Sequence, residues 1–185
     1  MAGFGFRRSA TGRLVLRADS VERELLESLV TQLEELVAPG YADPDADPLA
    51  RLVGIDPAAR VPTDPALARL FPDAYADDAE AAGEFRRFTE RGLREGKVAA
   101  ARVVRDSLVR SGDKLVLTAA EGQAWLHVLT DLRLTLGTRL EITEDNHDEL
   151  AALPQDDPRA AMLDVYDWLT YLQETLVRAV MSSGA

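Results

Sequence analysis

The chain has 185 residues, of which 46% are hydrophobic and 29% are charged, a composition typical of a folded domain and unlike that of a disordered chain. It contains no cysteine, which excludes disulfides, thiolate metal sites, iron–sulfur clusters, a cysteine nucleophile and a thiol redox switch. The formal net charge of −11 disfavours a function that depends on binding phosphate groups. This length predicts one domain over residues 1–185.

The N-terminus does not have the pattern of a targeting signal. Arg7 and Arg8 follow the apolar residues Phe4 and Phe6, and no apolar core of a signal peptide comes after them. No stretch approaches the length of uncharged apolar sequence that a membrane span needs. We therefore expect a cytoplasmic protein.

Three short β-prone runs predict a small antiparallel sheet. Residues 1–18 hold two of the runs, and Gly12 between them suits the turn of a hairpin. The third run lies at 113–118. Because an isolated hairpin is only marginally stable in water, we expect the third run to join it as a strand.

Most of the remaining chain has the periodicity of amphipathic helices. Asp19 with Glu22 and Thr118 with Glu121 form two capping-box patterns that mark helix starts. The predicted main helices cover residues 19–38, 78–109, 118–140 and 157–181. The fold class is therefore mainly α (α+β): a helical bundle with a small N-terminal antiparallel β-sheet, made of a hairpin plus a third short strand.

Residues 41–77 contain most of the prolines and are expected to be irregular, with two short helices. Asp47-Pro48 begins one that ends near Gly54, and Asp64-Pro65 begins another that ends before Pro72. In both, the aspartate can accept a free backbone N–H, and proline suits the first helical position.

One predicted helix is basic in an otherwise acidic chain. Residues 84–110 carry eight basic and four acidic side chains. Five arginines share a narrow arc of this helix and are predicted to point outward, while Phe85, Phe88, Gly92, Ala99 and Val103 face the core. The arginines are Arg87, Arg91, Arg94, Arg102 and Arg105.

This arginine stripe has three interpretations. It is a solvated face that nearby acids neutralise, either through the acidic residues 141–157 or through four pairs at helical spacing: Glu84–Arg87, Glu90–Arg94, Arg91–Glu95 and Arg102–Asp106. Alternatively, it is a docking face for an acidic partner, since the guanidinium fork suits carboxylates. Direct binding of nucleic acid is the third, and would be weak and salt-sensitive.

No catalytic or cofactor-binding constellation stands out. Residues 92–98 resemble a phosphate loop only superficially, because the spacing is one residue short and no Ser or Thr follows Lys97. Close approach of two helices is the better explanation for Gly92 and Gly96, which share a helix face.

The acidic run 144–149 lacks the glycine and the closing glutamate of a calcium loop. A surface loop is therefore favoured, with an adventitious divalent ion as the alternative. His127 and Asp131 lie one turn apart, but nothing places a third zinc ligand beside them, so an ordinary hydrogen-bonded histidine is predicted at His127. We expect no catalytic residues, no metal, no cofactor and no enzyme.

Several motifs, in this order and over nearly the whole chain, resemble an actinobacterial family long described as a domain of unknown function, the AosR-like oxidative-stress transcriptional regulators. They are Asp47–Ile55, Asp64–Tyr75, Glu84–Glu90, Asp131–Leu140 with Thr143–Asp145, and Asp157–Leu169 with Gln173–Leu176.

This resemblance implies transcriptional regulation by contact with a sigma factor or an RNA polymerase subunit. An interaction module for neighbouring ClpS-type proteolysis or cysteine-synthesis proteins is the alternative, and a homo-oligomer is compatible with both. Because cysteine is absent, the chain itself does not sense oxidants through a thiol.

Overall fold

A computed structural model describes residues 5–39, 60–75, 77–110 and 112–182. The elements are β1 (Gly5–Arg8), β2 (Leu14–Arg17), α1 (Ser20–Val37), α2 (Pro65–Leu70), α3 (Ala79–Val109), β3 (Lys114–Leu117), α4 (Ala119–Arg139), α5 (His147–Ala151) and α6 (Pro158–Met181). The predicted fold class, mainly helical with a small three-stranded sheet, is confirmed. The first of the two predicted short helices, at 47–54, lies outside the described residues.

The sheet is antiparallel with the order β1-β2-β3. Gly12 adopts a φ of +77° in the hairpin turn, and the Ser9 N–H donates to the Arg13 carbonyl at 2.8 Å to close it. Leu16 of the central strand pairs with Leu115 of β3. The hairpin and the distant third run therefore form one sheet, as the sequence predicts.

Helix starts are defined by side-chain caps. Asp19 and Glu22 form a complete capping box, with hydrogen bonds of 2.9 and 3.0 Å, and the box predicted at the start of α4 is also formed. Asp64 and Asp157 each accept a backbone N–H ahead of a helix that begins with proline. Hydrogen bonds from the Arg159 side chain and backbone lower the pKa of Asp157 to about 2.

One main hydrophobic core lies between the sheet and the helices. Helix α1 packs against α3, and α4 packs against α2, α3 and α6, while α6 covers β1. Trp125 is fully buried at the centre. Its ring centroid lies 5.4 Å from that of Phe6 in a T-shaped arrangement, and its Nε1 donates to Ser107 Oγ at 3.0 Å. A smaller cluster formed by Leu140, Leu150 and Leu163 joins α5 to α6. None of the described helices is long and apolar enough to cross a bilayer.

Candidate functional site

The basic helix α3 is rotated relative to the sequence prediction. Phe85, Phe88 and Val103 are 44%, 61% and 38% exposed, whereas Arg86 and Glu90 are only 6% and 9% exposed. The prediction that the aromatic residues face the core is therefore wrong. The outward-facing arginine stripe is present in part, because Arg87 and Arg102 are exposed whereas Arg94 is largely buried.

The cause of this rotation lies in the second half of α3. That half buries an aliphatic face against its neighbours, formed by Val98, Ala101, Val104 and Leu108. A helix repeats every 3.6 residues, so the same face in the first half carries Arg86, Glu90 and Arg94. The aliphatic contacts determine how α3 is rotated about its axis. The charged side chains that this rotation buries therefore need hydrogen-bond or ion-pair partners inside the protein.

Those partners form a buried charge network. The Arg86 guanidinium donates to Glu90, to the Phe71 carbonyl at 2.9 Å and to Asp73 at 2.8 Å. Arg94 reaches the other Glu90 oxygen at 2.8 Å. Burial lowers the pKa of Arg86, but the hydrogen bonds that its guanidinium donates to Asp73 and Glu90 outweigh this effect, and the net shift of the pKa is upward. The network fixes residues 71–73 against α3.

Arg94, a member of the predicted stripe, belongs to this interior structure. Besides its bond with Glu90, it donates to the carbonyls of Val37 and Ala38 at 3.3 Å, at the C-terminal end of α1. Its guanidinium also lies 4.5 Å from the centre of the Phe71 ring. Arg94 therefore joins the end of α1 to α3, and little of it is available to a partner.

Arg102 and Arg105 share a single carboxylate, that of Glu34 on α1. The two donor–acceptor distances are 2.9 and 2.7 Å, and the Glu34 side chain is largely buried between them. Arg91 pairs with Glu95 at 3.0 Å, and both side chains are about half exposed. Of the four helical pairs expected from sequence, Glu90–Arg94 and Arg91–Glu95 are thus present. The other two, Glu84–Arg87 and Arg102–Asp106, are not formed between these described residues.

Arg87 differs from the other four stripe arginines in having no ion pair with the described residues. It is exposed, and no ion pair joins it to any other residue in the described part of the chain. Arg102 is also exposed, although it holds Glu34, and Arg91 is partly so. The accessible positive charge on α3 therefore comes from Arg87, Arg91 and Arg102, and of these Arg87 alone has no ion-pair partner among the described residues.

The acidic residues 141–157 do not neutralise the stripe, whose carboxylate partners among the described residues lie on α1 and α3. Asn146 closes this loop by accepting from the Thr143 N–H at 2.8 Å and donating to the Glu141 carbonyl at 2.9 Å. Across residues 5–39, 60–75, 77–110 and 112–182, no three His, Asp or Glu side chains gather in a way that would hold a metal ion.

Both histidines lie at the surface. His127 is exposed and makes no hydrogen bond with the residues described, so the prediction of a hydrogen-bonded histidine is wrong. Asp131, one turn away, is buried and accepts from Lys97 Nζ at 2.7 Å. His147 Nε2 lies 3.0 Å from Asp167, whose hydrogen bond raises the pKa of the histidine.

Gly92 and Gly96 lie on the exposed side of α3. A Cβ added at either position would meet no described atom within 4 Å. The predicted close approach of a second helix to these glycines is therefore not made within the described chain. Next to this surface, a cavity of about 270 Å³ opens between α3 and the segment after α2, with Phe71, Phe85 and Leu93 in its lining.

These features define a mainly helical protein with a small antiparallel sheet, in which a basic helix combines an internally paired arginine stripe with an exposed apolar face. The chain belongs to the family described as domain of unknown function DUF2017, whose sequence profile matches residues 1–180.

Two mycobacterial relatives confirm the resemblance to the AosR-like proteins. The oxidative stress regulator AosR of Mycobacterium tuberculosis (strain H37Rv) is 34% identical over 176 residues, which cover 88% of this chain and 79% of the relative. The protein of the same name from Mycobacterium bovis has the same identity and coverage. No solved structure matches the chain significantly.

Proposed function

We propose that the chain is a non-enzymatic regulator of the oxidative stress response that acts by binding a sigma factor or an RNA polymerase subunit. The regulatory part of the proposal is supported by the names of the mycobacterial relatives, which cover most of the chain. The contact part is supported by one observation: a basic helix in an acidic chain keeps an arginine, Arg87, exposed and free of ion pairs within the described residues.

The five stripe residues Arg87, Arg91, Arg94, Arg102 and Arg105 contribute differently to this surface. Arg94 and Arg105 hold α3 against α1 and thereby keep the helix in place. Arg87 supplies the charge that a partner meets, whereas Arg91 and Arg102 already have the carboxylates of Glu95 and Glu34 and contribute less. Because the guanidinium fork binds carboxylates in two-point contacts, the partner surface is acidic.

A regulator without cysteine needs a source of redox information outside its own thiols. The oxidant is therefore sensed by another molecule. The chain transmits the signal by changing the partner to which it binds. Methionine oxidation within the chain would act through packing and not through thiol chemistry.

The test is affinity capture of RNA polymerase and its sigma factors by the purified chain, compared with the Arg87→Glu variant. Reversal of a charge at a contact that a partner uses should weaken binding by about tenfold or more and reduce its salt dependence. Arg178→Glu is the matched control, because Arg178 is an exposed arginine on a different helix, α6. The proposal would be contradicted if Arg87→Glu captured as much polymerase as Arg178→Glu does. Capture of a proteolytic adaptor or a cysteine-synthesis enzyme without polymerase would also contradict it.

A further inference from the structure

The exposed side of α3 carries an apolar surface that the described chain leaves largely uncovered, apart from an edge-to-face contact between the Tyr75 and Phe85 rings. Four large side chains contribute to it: Phe85, Phe88, Leu93 and Val103, with exposures between 38% and 61%. The four exposed fractions add up to about two whole side chains. At about 200 Å² for each large side chain, the exposed apolar area is roughly 400 Å². A patch of this size on a single helix is as large as the largest apolar patches on typical monomers, and such patches are often functional.

The centre of this surface has only very small side chains. Gly92 and Gly96 lie one turn apart on the same side as Phe88 and Val103, and Ala99 continues the line. With nothing within 4 Å of the Cβ position at either glycine, the backbone of another helix can approach closely there. The glycines otherwise cost helix stability without a compensating contact in the described chain.

One flank of the surface carries charges of alternating sign. Glu84, Arg91, Glu95 and Arg102 fall within a narrow arc beside the apolar residues, at 100° per residue. Glu84 has no ion-pair partner among the described residues, and Arg102 is exposed beyond its contact with Glu34. The flank is therefore able to accept further ion pairs.

The order of these residues is complementary to itself in the reverse direction. When two copies of a helix pack antiparallel about a two-fold axis, each flank meets the same flank of the other copy, and residues equally distant from the axis are level. An axis at residues 93–94 places Phe85 level with Val103 of the second copy, and Gly92 level with Gly96.

The same axis pairs opposite charges. Glu84 becomes level with Arg102 of the second copy, and Arg91 with Glu95 of the second copy, to within about one residue rise of 1.5 Å. Each contact occurs twice because of the symmetry. Apolar, small and charged positions thus match about one common centre.

We infer that the chain forms a two-fold symmetric dimer through an antiparallel pair of α3 helices, with Gly92 and Gly96 at the crossing point. Complete burial of the two apolar patches would remove at most roughly 800 Å² from water, and the glycines, Ala99 and the charged flanks would add to this area, towards the ~1,000 Å² expected of a specific interface. This inference concerns the chain alone and does not depend on the proposed partner.

The first experiment measures the mass of the purified chain by sedimentation equilibrium from about 1 μM to 1 mM, a range that includes weak dimers. The expected result is a shift from 20.2 kDa towards twice that mass. Phe88→Glu should shift the midpoint of this transition at least tenfold to higher concentration. Val21→Glu is its matched control, because Val21 is an exposed apolar residue on α1. Circular dichroism confirms that each variant is folded.

A charge-swap experiment tests the register. Arg91→Glu gives each copy two acidic residues at the axis, and Glu95→Arg gives each copy two basic ones, so each variant alone should be monomeric. An equal mixture should form the heterodimer, because the opposite charges then meet across the axis. The inference is overturned by a wild-type chain that stays at 20.2 kDa throughout, by a dimer that Phe88→Glu leaves intact, or by a mixture no more associated than its components.

These results are independent of the capture experiment. Arg87 lies outside the paired positions, so Arg87→Glu should leave the dimer intact while weakening partner capture. Loss of dimerisation with Phe88→Glu in a chain that still captures polymerase would show the dimer and the regulatory contact to be separable.

Discussion

Removing the buried charge of Arg86 should destabilise the protein far more than removing an exposed charge on the same helix. Arg86 is 6% exposed, and its guanidinium serves Glu90, Asp73 and the Phe71 carbonyl. In Arg86→Met the side chain remains long and apolar, but Glu90 loses one of its two partners inside the protein.

The magnitude follows from the partners that remain. Breaking a buried ion pair by removing one member costs roughly 3–5 kcal/mol. Glu90 keeps Arg94 at 2.8 Å, and Asp73 is exposed enough for water to solvate it, so the lower end applies, about 3 kcal/mol. For a chain of this size, that loss lowers the melting temperature by roughly 6–12 °C.

The assay is urea unfolding followed by circular dichroism, with Arg87→Met as control. Arg87 is exposed on the same helix and has no ion-pair partner among the described residues, so its removal should cost at most about 0.5 kcal/mol. The double variant Arg86→Met/Glu90→Leu removes both buried charges and should recover at least half of the loss, because apolar groups of similar size can replace a buried pair. An Arg86→Met protein within about 1 kcal/mol of the wild type, well below the expected cost, would refute this reasoning.

Two further predictions concern backbone packing and a surface histidine. Gly83→Ala should stabilise the protein by about 0.5–1 kcal/mol, because α3 has open space there, whereas Gly122→Ala should destabilise it by about 1–3 kcal/mol, because its Cβ would collide with the buried Leu14 side chain. The reverse order in urea unfolding would contradict both. Asp167→Asn should return the raised pKa of His147 towards 6.5. The stabilisation from this pair is fully present below pH 6.5 and is lost as pH rises through the folded-state pKa. An NMR titration of the His147 ring checks this, and an unchanged midpoint would count against it.

Local sequence signals predicted much of the fold because short-range chemistry controls them. The aspartates before proline cap their helices, and the capping box at Asp19 and Glu22 requires only residues three apart. The three-stranded sheet was predictable for a related reason, since a hairpin this short needs a further strand.

The rotation of α3 was not predictable from the apolar pattern, because two apolar stripes compete along this helix. The aromatic residues at 85 and 88 favour one phase, and the aliphatic residues at 98, 101, 104 and 108 favour another. The structure adopts the aliphatic phase because Arg86 and Glu90, four residues apart, neutralise each other in the interior. The spacing of Arg86 and Glu90 was a sequence signal for a buried ion pair. By contrast, the pairing of Glu34 with Arg102 and Arg105 is a tertiary contact that no local pattern reveals.

The strand order places a constraint on how the protein is made. Strand β2 can pair with β3 only after about a hundred further residues have been synthesised, and the Phe6 N–H finds its acceptor, Thr175 Oγ1, only in the last helix. The N-terminal hairpin therefore leaves the ribosome long before its neighbours exist and is marginal by itself. Such distant closures slow folding, so nascent chains that stop before residue 114 should leave the hairpin open to proteolysis.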